Sequence, residues 1–194
     1  MDAGDILRSM DDVARLWIES GGGAIPVSGR SMRPTFEDAS RVWMEEAHRV
    51  RFGDVLVYRN GTFLVAHRVV GIRRGPPFRT KGDGLPHLDP SLVDAACVHG
   101  RVVEIEREGK RYRTDRAGGR MYARLVGAVS AMEGLFYRIA YRLDLLLPGP
   151  SPGERSRGGT VLLRWIVRLG GRSVMSIVDR LLFKRMHDVA CDIR

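Results

Sequence analysis

The chain has very little cysteine. Cys97 and Cys191 are its only two, far apart and outside any CxxC or Cys/His cluster, which argues against a disulfide framework and a structural zinc site and fits a reducing compartment. No metal or other cofactor is expected. Nor does any apolar run reach the roughly 18 residues of a spanning helix. Met1 to Asp5 carries acid where a signal peptide would carry base, and no apolar h-region follows, so the expected location is cytoplasmic, with peripheral attachment to a membrane as the one addition. Acid is in deficit overall: 23 Asp plus Glu face 32 Lys plus Arg, a net charge of +9. Such a balance favours a membrane surface or nucleic acid as partner. Nucleic acid is not expected, because no reader motif is present and the basic residues sit inside strongly apolar segments, which suit anionic lipid better.

What is present is a globular composition, 44% hydrophobic and 28% charged over 194 residues, enough to bury a real core. Asp5 to Glu19 reads as a short amphipathic helix, with Ile6, Met10, Val13, Ala14 and Trp17 at three- and four-residue spacing and Gly21 to Gly23 as its stop. Its acids Asp2, Asp5, Asp11, Asp12 and Glu19 favour packing on the core over contact with anionic lipid. Residues 1–23 thus form an N-terminal helical segment and residues 24–119 a β-rich domain. In the latter, strands are expected over Ala24 to Val27, Arg41 to Met44, Asp54 to Arg59, Phe63 to Ile72, Val98 to Arg107 and Arg111 to Thr114. Asn60-Gly61 marks a tight hairpin and Glu108-Gly109 a weaker one.

Three local features carry chemistry. Ser31 lies in Gly29-Arg30-Ser31-Met32-Arg33-Pro34-Thr35, where glycine permits an unusual backbone and proline stiffens the exit. By itself this is an ordinary loop. Alternation along Phe63 to Ile72 puts Phe63, Val65, His67, Val69 and Gly71 on one face, so His67 is a lone titratable group in an apolar row. Such a histidine is usually a hydrogen-bonded core residue. With a serine to serve, the same imidazole is placed to accept a proton. Thr80 to Pro90 reads as a Gly- and Pro-punctuated loop bearing Asp83 and Asp89, either of which could take the second ring N–H of His67. His48, His99 and His187 have no partner by spacing, and His87 reads as a turn residue.

In order along the chain, Gly29 to Thr35, Gly53-Asp54-Val55-Leu56-Val57, His67-Arg68-Val69-Val70-Gly71 and Lys81-Gly82-Asp83 resemble the successive boxes of type I signal peptidases, over roughly Ala24 to Glu106. His67 stands where the bacterial members have lysine, which makes the likeness closest to the Ser-His subtype of the endoplasmic reticulum and archaea. The resemblance implies a mainly β catalytic core of the signal-peptidase and LexA-like kind, α+β overall once the helical segments are added. It implies a serine endopeptidase acting on a leader or signal peptide with small residues before the cut. Ser31 would be nucleophile, His67 base, and Asp89 or Asp83 the orienting acid, with Asp89 preferred. The turn Gly29, Arg30, Ser31 would supply oxyanion donors, and Met32 and Pro34 would contact the peptide. A LexA-type self-cleaving protein would want a lysine base and a DNA-binding domain before residue 24. The alternative from another class is a catalytically silent relative that binds a membrane or partner.

The remainder is helical. Tyr122 to Leu147, within a segment 120–147, reads as helix with Arg124, Arg138 and Arg142 spaced through it. Residues 148–159 form a Pro/Gly/Ser linker. In 160–194, the apolar segments Thr160 to Leu169 and Ser173 to Met186 are studded with arginine. The stretch from Thr160 to Arg185 is expected either to lie on an anionic membrane surface or to dock as a helical hairpin.

Overall fold

A computed structural model describes residues 24–27, 29–37, 40–72, 75–107 and 109–146, the side chains of 144–146 excepted. The expected N-terminal helix, the linker and the basic tail lie outside the described residues. Within them, seven strands form one antiparallel sheet: β1 (Ile25–Pro26), β2 (Arg41–Glu45), β3 (Val55–Asn60), β4 (Phe63–Gly71), β5 (Arg79–Lys81), β6 (Val98–Arg107) and β7 (Lys110–Arg113). Their spatial order is β1-β2-β6-β3-β4-β5, with β7 paired to β6. A single described α-helix, α1 (Ala117–Leu146), packs against β4 and β5. The described chain is therefore mainly antiparallel β with one long helix, an α+β arrangement.

Both sheet faces are covered, so β3 is a continuous apolar run and not a simple alternation. Val55 and Val57 join Met32, Phe36, Val42, Met44, Val102 and Ile105 on one side. Leu56 and Tyr58 join Val69, Phe78 and Val93 on the other. The β3–β4 hairpin bends at Gly61-Thr62, since Asn60 pairs with Phe63 and Gly61 has φ 61°. That is one residue later than the Asn60-Gly61 turn expected. This register sets Leu56 opposite His67 and Val55 opposite Arg68, so the two neighbours on β4 enter different cores.

Two expectations need correction. Thr80 and Lys81 belong to strand β5, paired with Val69 and Arg68, and not to the loop that follows. Three residues, two of them cationic, give no alternation for a strand to be recognised by. The helix begins at Ala117, five residues before Tyr122, and runs through Gly118-Gly119. Gly119 is there for closeness: a Cβ on it would meet the carbonyl oxygen of Arg113 at 2.1 Å.

A second close approach sets α1 against the turn before β3 at Gly53, whose φ is 92° and whose added Cβ would lie 2.4 Å from the Ala123 carbonyl oxygen. Gly53→Ala is expected to cost at least about 2 kcal/mol, from backbone strain and displacement of α1 together. Gly61→Ala has the same sign of φ with nothing within 4 Å, and is expected to cost only about 1 kcal/mol. Urea unfolding midpoints at constant slope check the pair; equal losses would mean that helix contact at Gly53 adds nothing.

Candidate functional site

His67 is buried on β4, and Asp89 is brought to it by the return of the chain from β5. The N–H of Asp89 donates to the Thr80 carbonyl at 3.0 Å, and its own carbonyl accepts from Arg79 at 3.4 Å. Its carboxylate Oδ2 lies 2.8 Å from His67 Nδ1 and accepts from the Tyr58 hydroxyl at 3.0 Å. Burial raises the Asp89 pKa, but hydrogen bonding and charge at His67, then the hydroxyls of Thr80 and Tyr58, outweigh it and hold the carboxyl below its ordinary range. An ionised carboxylate only accepts, so Nδ1 carries the proton and, in the neutral ring, Nε2 presents a lone pair.

Gly82 marks where that lone pair faces. A Cβ on Gly82 would sit 3.1 Å from His67 Nε2 and 2.5 Å from the Ser31 carbonyl oxygen, so imidazole and serine main chain converge on one hydrogen-only Cα. The N–H of Gly84 donates to the same Ser31 carbonyl at 2.7 Å, tying the Ser31 loop to the acid loop that carries Asp83 and Asp89. Ser31 is half-buried, and Gly29 (φ 99°) and Arg30 are exposed. The hydrogen bonds of His67 run through Nδ1, to Asp89 and, at 3.5 Å, to Tyr58; none among the described residues joins its ring to Ser31. Met32 points inward as a core residue, 3% exposed beside Phe36 and Val42, which removes its side chain from the open side of the loop where a peptide would lie. Pro34 is half-buried, its carbonyl accepting from Arg107 at 2.7 Å.

Asp83 does not reach His67; it faces the opposite core. Arg68, 1% exposed, donates from Nη2 to Asp83 Oδ2 at 2.6 Å and from Nε to Oδ1 at 2.9 Å. It also donates from Nη1 to the Gly53 carbonyl at 2.7 Å and from Nη2 to Thr35 Oγ1 at 3.0 Å. Burial pulls the guanidinium pKa down, yet the charge and hydrogen bonds of Asp83 more than offset this and leave it raised. Of the two acids left open by the sequence, Asp89 contacts the histidine and Asp83 secures the arginine beside it.

Other participants went unrecognised in the sequence. Tyr58 bridges Asp89 and Thr80 and meets the His67 ring edge-on at 6.3 Å. Its position was readable, because the hairpin register puts it opposite Val65, on the His67 face. Lys81, fully buried, donates to Glu133 at 2.8 Å, Ser130 at 3.0 Å and the Gly82 carbonyl at 3.2 Å. A cleft of about 730 Å³ opens elsewhere, among Glu46, Arg49, Val50, Ile72, Phe78 and His99, and includes none of the residues that converge on Gly82. Comparison of the chain with protein-family models, with curated proteins and with solved structures finds no match.

Asp83→Asn is expected to cost about 3–5 kcal/mol, the range for stripping one partner from a buried ion pair. Asp89→Asn, whose partners stay hydrogen-bonded to a neutral amide, is expected to cost about 1–2 kcal/mol. Denaturant titration ranks them, and a larger loss at Asp89 would contradict the division of labour. Asp54 gives a pH signature. Burial, opposed by Arg101, pushes its carboxyl from the ordinary 3.8 up to about 6. The native state then holds this proton more tightly than the unfolded chain, so the associated stability is full below pH 3.8 and is lost as pH rises to about 6. Asp54→Asn is expected to flatten the stability profile across that window, read as Tm against pH.

Proposed function

We infer that the chain is a serine endopeptidase of the signal-peptidase type, with a mainly β fold of that kind, acting on a leader or signal peptide through Ser31, His67 and Asp89. The observation that carries this reading is the hydrogen bond from His67 Nδ1 to an ionised Asp89, which turns Nε2 toward the Ser31 loop across Gly82. In the reaction, Ser31 Oγ attacks a peptide carbonyl and passes its proton to Nε2. Asp89 stabilises the imidazolium that results. The tetrahedral oxyanion is met by main-chain N–H groups of the Gly29 to Ser31 turn. Collapse breaks the C–N bond as Nε2 hands its proton to the leaving amine, and water then releases the acyl-serine by the same steps.

Arg68, Asp83 and Lys81 hold the loops and touch no reacting atom in this scheme. A catalytically silent relative, binding a membrane or partner, is the second reading, and it draws on the missing Ser31–His67 hydrogen bond. Catalytic hydrogen bonds often tighten only when substrate binds, so that observation is compatible with both. Labelling decides between them. A serine-directed phosphonate probe is expected to modify Ser31, with no labelling in Ser31→Ala and a rate lower by on the order of 10³ to 10⁴ in Asp89→Asn. Folding of each variant is checked by circular dichroism. Labelling that persists in Ser31→Ala, or that ignores His67→Ala, would sink the peptidase reading.

A further inference from the structure

The inner face of α1 is used up by the sheet, and its outer face is not. Leu125, Met132, Leu135, Phe136, Ile139 and Leu143 all fall within about 100° of one another around the helix axis along that outer face, each between 44% and 55% exposed except Met132 at 57%. From Leu125 to Leu143 the stripe is about 27 Å long at 1.5 Å per residue. A monomer surface rarely leaves so continuous an apolar strip uncovered. Arg124, Arg138 and Arg142 are exposed as well, and at 3.6 residues per turn all three lie to one side of the stripe, roughly a quarter turn away. Between residues 117 and 143 the helix has one acid, Glu133, and that acid is buried against Lys81.

We propose that this outer face is a docking surface for an anionic membrane, with α1 lying in the interfacial plane. The two halves of the surface match the two layers of a bilayer leaflet: the apolar stripe enters the acyl boundary while the arginine row stays among negative headgroups. A second copy of the chain is a poorer occupant. Antiparallel pairing along the stripe would bring Arg124 toward Arg138 and Arg142, with no exposed acid between residues 117 and 143 to compensate. The helix lies on the surface and does not cross, since its other face is packed on β4 and β5 and no described helix is apolar enough to span. The proposal uses residues 117–143 alone and holds whether or not Ser31 is a nucleophile.

Sedimentation of the full chain with phosphatidylcholine vesicles, with and without phosphatidylglycerol, tests it. Binding is expected only when phosphatidylglycerol is present, and is expected to weaken as salt rises. The triple variant Arg124→Gln, Arg138→Gln, Arg142→Gln should weaken binding on the order of 100-fold, each basic residue near an anionic surface contributing a factor of about five. Met132→Gln with Phe136→Gln should also weaken it at least tenfold, with circular dichroism confirming that the helix remains. Three outcomes would overturn the proposal: a wild-type chain that ignores anionic vesicles, variants that bind them as well as wild type, or a dimer in sedimentation velocity that Met132→Gln with Phe136→Gln abolishes. The second would move the membrane contact to residues 160–194, and the third would give the stripe to a second copy.

Discussion

The buried pair of Arg68 and Asp83 is the interaction on which the other parts depend. Its guanidinium reaches four separate pieces of chain: the acid loop through Asp83, the segment after the serine through Thr35, the start of β3 through the Gly53 carbonyl, and, by way of Thr35, the Tyr122 hydroxyl on α1 at 3.2 Å. Desolvating two charges is costly, and an isolated pair in this position would be a net liability. What makes it tolerable is that each guanidinium nitrogen has a hydrogen-bond partner and that Asp83 also accepts from Thr35 at 2.6 Å. Such a network gives more in uniqueness than in raw stability, because any slip of β4 would leave a buried charge without its partner.

Fixing Arg68 fixes His67. The two are consecutive on one strand, so their side chains must leave on opposite faces. A strand pinned through one core therefore delivers the other residue to the second core at a set height and angle. There Asp89, Tyr58 and Thr80 hold the ring, and Gly82 stands before Nε2. The acid loop serves both faces, which explains two carboxylates in so short a stretch: Asp83 turns back to Arg68 while Asp89, six residues on, turns to His67.

Much of this was legible in the sequence, and the reason is locality. The positions of β2, β4, β6 and β7, the glycine hairpins to within a residue and the face occupied by His67 follow from strand patterning and turn chemistry, both properties of adjacent residues; β5, three residues long, offers no such pattern. The choice between Asp83 and Asp89 was not legible, because it depends on which core each loop position meets. Lys81 and Glu133 are 52 positions apart, and nothing local marks a lysine as buried. Met32 shows a related limit of local reading: its place beside Ser31 suggests contact with substrate, whereas its burial with Phe36, Val42 and Ile105 depends on residues from distant strands. The start of α1 was missed because two glycines look like a break until the Arg113 carbonyl is seen lying against one of them.

Helix α1 shows most plainly how structure and surface are joined here. A helix apolar around most of its circumference is at odds with water unless both sides are covered. The sheet covers one, using Tyr122, Ala123 and Val126 for packing and Ser130 and Glu133 for polar attachment. That attachment ends on Lys81, and Lys81 in turn holds the Gly82 carbonyl, one residue from the acid that secures Arg68. Whatever covers the outer stripe thus bears on a rigid element that is two hydrogen bonds from the glycine between Ser31 and His67. The outer face proposed for membrane docking and the candidate catalytic centre share a support, and a change in the position of α1 cannot leave Gly82 where it was unless the Lys81 to Glu133 ion pair gives way.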